Sequence, residues 1–207
     1  MAAINTQRRR LIKGVGFLAL SSLSPPLLAA SANALSPEDR VSPIQPAGDG
    51  VAYFPDGRLG KVIPRSGELL PVIGMGTWRT FNVGDNPRLL KSRTQVLKAF
   101  YAQGGGMIDS SPMYGSAEAV LGHTMGRLKQ REKVFAATKV WTSSTQQGVE
   151  QVEDSKQLWG VQRFDLFQVH NLVNWQAHLQ HLLALKAKGE IRYVGITTSH
   201  GRRHRDL

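Results

Sequence analysis

The stretch Val134-Phe-Ala-Ala-Thr-Lys-Val140 decides the fold, because it is an apolar run of strand length with a lysine next to its end. Similar runs recur at 72–76, 107–110, 165–170 and 193–197. Their centres lie about thirty residues apart, the length of one strand–helix unit in a barrel. The runs are apolar throughout, as expected of strands that are buried on both faces. Because the residues between them follow a helical period, the pattern predicts an α/β fold with a parallel sheet.

Capping and stop signals separate these strands from four predicted helices. Pro87 suits the first turn of the first helix, and Gly189 is placed to end the fourth. The residues placed to cap the second, third and fourth helices are Ser116, Ser144 and Asn174. A closed barrel of this kind has eight strands. The sequence therefore predicts about the first five βα units of a (β/α)8 TIM barrel, in the front part of a longer protein or in a truncated product.

Two further segments precede the first strand. Residues 62–72 hold two short apolar runs around Ser66-Gly67, which predicts an N-terminal β-hairpin. Residues 35–60 are rich in Pro, Gly, Ser and Asp without any period, which predicts a weakly ordered linker. The predicted domains are thus a leader at 1–34, a linker at 35–60 and a partial barrel at 61–207.

The leader has the three parts of a secretory signal peptide. Arg8-Arg-Arg-Leu-Ile-Lys13 is a charged head, the stretch from Gly14 to about Leu28 is apolar, and Ala32-Asn-Ala34 offers a cleavage site. The paired arginines indicate a twin-arginine signal, which would deliver the protein to the twin-arginine export machinery and the periplasm. An uncleaved amphipathic anchor is the alternative. A stable membrane span is not expected, since Pro25 and Pro26 interrupt a short apolar stretch.

The composition bounds the class of protein. The net charge is +11, and the four positive charges of the leader leave +7 for the remaining chain. That excess is scattered and not interleaved with aromatic residues, so we expect an ordinary basic surface and no nucleic-acid partner. The chain has no cysteine, which excludes disulfides and thiolate metal sites. His178 and His181 have helical spacing, but without a nearby third ligand we expect no metal site there.

Four residues with complementary chemistry stand at loop edges after successive predicted strands: Asp109, Tyr114, Lys139 and His170. The carboxyl ends of parallel barrel strands share one face, so these side chains should converge. A lysine inside a buried run needs a partner, and Asp109 on the neighbouring strand is the obvious one. The ammonium of Lys139 is expected to lower the pKa of the Tyr114 phenol and prepare it to donate a proton. The imidazole of His170 would polarise an adjacent oxygen.

Each of these residues also has a plainer interpretation. Asp109 could simply end a strand, Tyr114 could be a packing residue of its loop, and His170 could be a satisfied core histidine. The lysine could belong to a structural ion pair at the mouth of the barrel. The functional interpretation depends on the four residues occurring together in this order.

From about 61 to 198, the chain resembles the aldo/keto reductase family. The resemblance rests on the hairpin Ile63-Pro-Arg-Ser-Gly-Glu, on Gly74-Met-Gly-Thr-Trp, on Ile108-Asp-Ser-Ser-Pro-Met-Tyr-Gly, on Thr138-Lys139 and on Val169-His170. It implies a (β/α)8 barrel that reduces aldehydes and ketones with NADPH. Residue by residue, it implies that Tyr114 is the proton donor, that Lys139 and Asp109 tune it, and that His170 orients the substrate carbonyl.

The resemblance also implies a cofactor site. Thr77 and Trp78 stand where the family lines the cofactor and substrate cleft, with Asp109 beside them. Thr197 and Thr198 match the pair that binds the nicotinamide carboxamide, although Thr198 offers a hydroxyl where the family usually has an amide. The family's clamp on the adenosine 2′-phosphate follows its last strand, so NADP is implied by the resemblance alone.

Two other functions stay open at this stage. One is a non-catalytic, nucleotide-binding protein on the same barrel, and the other is a truncated barrel without activity. Tight binding of NADPH without turnover would favour the first, and loss of cooperative unfolding would favour the second.

Overall fold

The computed structural model describes residues 50–199 and 201–207. The predicted signal peptide and the first part of the predicted linker lie outside these residues. Within the described ranges, a small antiparallel sheet is followed by a larger parallel sheet with helices between its strands.

The small sheet has three strands in the order β1-β2-β3. They are β1 (Val51–Tyr53), β2 (Leu59–Val62) and β3 (Leu69–Pro71). The predicted hairpin is confirmed, since β2 and β3 pair across a turn in which Gly67 has a φ of 72°. The predicted linker is wrong for 51–60, because β1 and the start of β2 occupy these residues. Pro55-Asp56-Gly57 forms the turn between them, with Gly57 N donating to Phe54 O at 2.9 Å.

The larger sheet has five parallel strands, paired in chain order. They are β4 (Gly74–Gly76), β5 (Met107–Asp109), β6 (Phe135–Val140), β7 (Phe164–Val169) and β8 (Ile191–Ile196). The helices that alternate with them are α1 (Pro87–Ala102), α2 (Ala117–Leu128), α3 (Thr145–Trp159) and α4 (Trp175–Ala187). The predicted strand–helix rhythm is therefore confirmed, with strand bounds that differ by two residues or fewer.

The helix ends follow local chemistry only in part. Pro87 is the first residue of α1, and Ser144 caps α3 by accepting from Gln147 N, as predicted. The predicted caps Ser116 and Asn174 are wrong, because neither side chain bonds its own helix. Ser116 Oγ instead accepts from Gly84 N at 2.8 Å, and Asn174 Nδ2 donates to Thr145 Oγ1 at 3.1 Å. Contacts between loops have replaced the local caps.

The core lies between the parallel sheet and its helices. Trp159 of α3 packs edge-on against Phe164, which packs edge-on against Phe167, with ring centres 5.2 and 5.3 Å apart. Helices α2 and α3 approach closely at Gly122, where an added Cβ would lie 1.8 Å from Leu158 O. A glycine is therefore required at this crossing.

A polar network fastens the small sheet to the amino ends of the parallel strands. Arg192, at the start of β8, pairs with Glu68 and donates to Asp165 Oδ1 at 2.6 Å. Asp165 Oδ2 accepts from Ala136 N at 2.7 Å, and Glu68 Oε2 accepts from the Tyr193 hydroxyl at 2.6 Å. Although partial burial opposes it, hydrogen bonds from Arg192 and Tyr193 lower the pKa of Glu68. The opposite ends of the strands are left for the loops that follow them.

No helix in the described ranges combines the length and the apolar character needed to cross a membrane.

Tyr101, near the end of α1, carries a buried hydroxyl that has no hydrogen-bond partner in the described part of the chain. Burial, assisted by the charge of Glu132, raises its pKa to about 12. The folded state therefore favours the protonated phenol. Between pH 10, the ordinary pKa, and pH 12, the unfolded chain ionises this group more readily, so the free energy of unfolding falls.

We predict that Tyr101→Phe raises the free energy of unfolding at pH 7 by about 1 kcal/mol, because it removes an unpaired buried hydroxyl. Denaturant unfolding measures this, and repeating it between pH 10 and 12 should show a smaller loss of stability in the variant than in the wild type. Tyr53→Phe, at a side chain that is 54% exposed, is the matched control and should change neither value. A destabilised Tyr101→Phe variant would contradict the prediction.

Candidate active site

The carboxyl ends of the five parallel strands bring the residues predicted for the site to one rim. Asp109 is the last residue of β5, Lys139 is next to last in β6, and His170 directly follows β7. Thr77 follows β4 and Thr197 follows β8. Tyr114 lies in the loop between β5 and α2. The convergence expected from the strand order is therefore present.

An ion pair between a buried lysine and a partly exposed aspartate forms the centre of this rim. Lys139 Nζ donates to Asp109 Oδ2 at 2.5 Å and to Ser110 O at 2.7 Å. The Lys139 side chain is 6% exposed and that of Asp109 is 35% exposed. Burying an ammonium is costly unless opposite charge and hydrogen bonds replace its hydration, and both are supplied here.

Tyr114 packs among three other side chains of the rim. Lys139 Nζ lies 5.3 Å from the centre of its ring. The His170 ring stands edge-on to it at 6.5 Å between centres, and the Trp78 ring lies at 6.4 Å. Within the described residues, the Tyr114 hydroxyl has no hydrogen-bond partner, so it is available to a bound molecule.

The pKa of Tyr114 moves opposite to the sequence-based expectation. Burial raises it above the ordinary value of 10, and the charge of Asp109 raises it further. The expected lowering by Lys139 is wrong because the carboxylate at 2.5 Å from the ammonium offsets its positive charge. Tyr114 is therefore a neutral phenol throughout the physiological range, which is the form that can donate a proton.

His170 is fixed by a contact with the next strand. Its Nδ1 lies 2.7 Å from Thr197 Oγ1, and its side chain is buried. This contact ties the end of β7 to the end of β8 and sets the direction of the imidazole. Thr197 thus contacts His170, whose ring in turn stands edge-on to the phenol ring.

Thr77 and Trp78 have different positions at the start of the rim. Thr77 is buried, and its Oγ1 donates to Asp109 O at 3.0 Å and lies 2.9 Å from Ser110 Oγ. Its hydroxyl is therefore engaged inside the protein, which argues against the direct cofactor contact expected for it. Trp78 is 57% exposed and can form a wall of a cleft.

Glu118 of α2 is a site-associated residue that the sequence analysis missed. It is buried, with 2% of its surface exposed, and it accepts from Thr138 Oγ1 at 2.6 Å, Trp159 Nε1 at 2.9 Å and Ser155 Oγ at 3.0 Å. Burial raises its pKa, while these three hydrogen bonds and the charge of Lys139 oppose the shift. The helical period contains a signal for it, since Glu118 lies three residues before the buried Leu121.

Two amides at the ends of the strands were also missed. Gln168 Nε2 donates to Asp109 Oδ1 at 3.4 Å. Asn171, which has a φ of 54°, accepts from Ser199 N at 2.7 Å and from Ser199 Oγ at 2.9 Å. The left-handed backbone that asparagine tolerates allows this loop to turn back over the end of β8.

The histidines of α4 do not form a metal site with other described residues. His178 is buried and its Nε2 lies 2.8 Å from Thr142 O. No group of three or more histidine, cysteine, aspartate or glutamate side chains in the described ranges is arranged to hold a metal ion.

Residues 72–205, which carry the parallel sheet and this rim, match the family model described as "Aldo/keto reductase family". The chain belongs to the aldo/keto reductase family. The match begins just before β4 and extends beyond the end of β8, so it includes every residue named in the rim.

Curated relatives and solved structures of this family agree with the assignment. Methylglyoxal reductase YeaE of Escherichia coli is 31% identical over 144 residues, which cover 66% of this chain and 49% of the relative. Aldo-keto reductase YhdN of Bacillus subtilis is 28% identical over 140 residues, covering 60% of this chain and 42% of the relative. The chain thus spans about half the length of the curated relatives that it matches.

A solved aldo/keto reductase of Klebsiella pneumoniae, in complex with NADP and acetate, shares the fold with a TM-score of 0.57 and 22% identity. The superposed part covers 68% of this chain and 50% of that one. The five strands and four helices described above therefore correspond to part of a (β/α)8 barrel.

Proposed function

We propose that this aldo/keto reductase reduces aldehydes and ketones to alcohols with NADPH, and that Tyr114 donates the proton. The observation that carries the proposal is the cluster of an unbonded phenol, the Lys139–Asp109 ion pair and an edge-on His170 ring at one rim. Carbonyl reduction is also what the name of the Escherichia coli relative states for that protein.

The protein's own groups suit the protonation of a carbonyl oxygen. Such an oxygen would accept a hydrogen bond from the Tyr114 hydroxyl beside the His170 ring, whose centre lies 6.5 Å from that of the phenol ring. The raised pKa keeps the phenol protonated until the reaction. As hydride arrives and negative charge develops on the substrate oxygen, the Tyr114 hydroxyl would donate its proton to that oxygen and leave a phenolate.

NADPH, when bound, supplies the hydride that reaches the carbonyl carbon. Thr197 and Thr198, which follow β8, carry hydroxyls of the kind that can bind its carboxamide, and the Thr197 hydroxyl also contacts His170 Nδ1 at 2.7 Å. Trp78, exposed beside Tyr114, could contact the same cofactor. The choice of NADP over NAD is drawn from the family resemblance.

We predict that Tyr114→Phe lowers kcat for aldehyde reduction by at least 10²-fold, since the proton donor is lost while the ring is kept. The measurement is NADPH oxidation with a panel of aldehydes, and Tyr53→Phe is the control.

The wild-type rate should stay level through neutral pH and fall only above pH 10, because the pKa of Tyr114 lies above its ordinary value of 10. Unchanged kcat in Tyr114→Phe would exclude the proposed role.

A non-catalytic, nucleotide-binding function on the same barrel is the second candidate. NADPH binding, followed by the change in its fluorescence, separates the two candidates. Binding with turnover supports the reductase, binding without turnover on any carbonyl supports the second candidate, and absence of both supports an inactive barrel.

We also propose that residues 1–34 act as a twin-arginine signal that takes the folded domain to the periplasm. The supporting feature is Arg8-Arg9 before an apolar stretch and a small-residue cleavage site. Cell fractionation of a reporter fused to residues 1–34 tests this, with Arg8→Lys/Arg9→Lys as the matched variant. The reporter should reach the periplasm only with the paired arginines, and export of the variant to the same extent would contradict the proposal.

A further inference from the structure

Gln151 of α3 holds the backbone of Trp141 with both ends of its side-chain amide. Its Oε1 accepts from Trp141 N at 2.8 Å, and its Nε2 donates to Trp141 O at 3.0 Å. The pairing of β6 with β7 ends one residue earlier, at Val140 and Val169. The glutamine side chain therefore takes the place of a neighbouring strand at the point where β6 leaves the sheet.

Trp141 lies on the substrate side of the rim. It directly follows β6, the strand that carries Lys139, at the carboxyl end where the rim lies. It is 41% exposed and borders a cavity of about 520 Å³. Pro112 and Met113, which immediately precede Tyr114, form another part of that cavity wall.

The lining of this cavity combines apolar side chains with polar side chains that carry no charge. The complete lining consists of Pro112, Met113, Trp141, Thr142, Ser143, Gln147, Gln151 and Val173. An uncharged lining offers nothing to offset the desolvation of a substrate carboxylate or phosphate. An exposed indole beside Met113 offers a flat apolar surface that suits an aromatic ring.

The remaining contacts of this loop begin one residue after Trp141. Thr142 Oγ1 donates to Gln147 Oε1 at 2.9 Å, Ser144 N donates to Thr142 Oγ1 at 3.2 Å, and His178 lies 2.8 Å from Thr142 O. These contacts fix the start of α3 and the loop before it. The backbone of Trp141 itself is held by the amide of Gln151.

We propose that Gln151 is a positioning residue, which holds Trp141 so that its indole receives the ring of an uncharged aromatic aldehyde or ketone. This inference rests on the proposed reductase function. Gln151 acts through Trp141 and does not touch the reacting atoms. Its loss should therefore weaken the binding of ring-bearing substrates and leave the chemical step intact.

The kinetic test compares benzaldehyde with propanal in the full chain, with NADPH as reductant. Gln151→Leu removes both hydrogen bonds and should raise KM for benzaldehyde roughly tenfold, with kcat changed less than about twofold and KM for propanal unchanged. Gln151→Glu should have an intermediate effect, because its carboxylate can accept from Trp141 N but cannot donate to Trp141 O. Gln146→Leu is the control, since Gln146 lies on the same helix and, among the described residues, its side chain hydrogen-bonds only to Glu150.

Amide hydrogen exchange gives a readout that does not need turnover. Gln151→Leu should accelerate exchange at the Trp141 amide and leave the Val140 amide protected, whereas a general loss of structure would accelerate both. If the wild-type protein shows no turnover, the proposed function fails. The role of Gln151 is then still decided by two measurements, amide hydrogen exchange and the binding of benzaldehyde, which is monitored by tryptophan fluorescence. Unchanged exchange at the Trp141 amide, or an equal change in KM for both aldehydes, would overturn the inference. If the Gln151→Leu variant does not fold, Gln151→Glu is used for the same measurements.

Discussion

The structure depends on the accommodation of one ammonium group, that of Lys139, inside an apolar strand. Its desolvation must be offset, and Asp109 Oδ2 at 2.5 Å and Ser110 O at 2.7 Å do so from the neighbouring strand. Thr77, which follows β4, in turn donates to Asp109 O. These contacts connect the carboxyl ends of three successive strands, β4, β5 and β6. The loop that carries Tyr114 starts at Asp109, within this set of contacts.

The same ion pair determines what the phenol can do. Because Asp109 offsets the charge of Lys139, the pKa of Tyr114 is set by burial and by the carboxylate and is raised. The phenol is kept as a neutral acid, with Lys139 Nζ 5.3 Å from its ring centre and already paired with Asp109. At the back of the strand, Glu118 fixes the neighbouring Thr138 through a buried hydrogen bond.

The two ends of the parallel strands have separate tasks. At the amino ends, Arg192 joins Glu68 of the small sheet to Asp165 of β7, and their hydrogen bonds stabilise the assembly. At the carboxyl ends, His170 and Thr197 connect β7 to β8 within the candidate site. This separation is typical of barrels, in which loops at one face carry the chemistry.

The sequence predicted those features that depend on periodic patterns or on residues within a few positions. The strands, the hairpin and the convergence of Asp109, Lys139 and His170 follow from apolar runs and from parallel pairing. Contacts between distant segments escaped prediction: Ser116 bonds the loop before α1 instead of capping α2, and Glu118 finds its donors on β6 and α3. The direction of the shift in the Tyr114 pKa was mispredicted for a related reason, because it depends on the distance between the charges of Lys139 and Asp109.

A double-mutant cycle on the ion pair tests the central claim most directly. The variants are Asp109→Asn, Lys139→Met and the two combined, and the quantity is kcat/KM for an aldehyde with NADPH. If the pair acts as one unit on Tyr114, the combined variant should lose no more than the worse single variant, with a coupling energy above about 1.5 kcal/mol. Losses that multiply, giving a coupling energy near zero, would contradict the account.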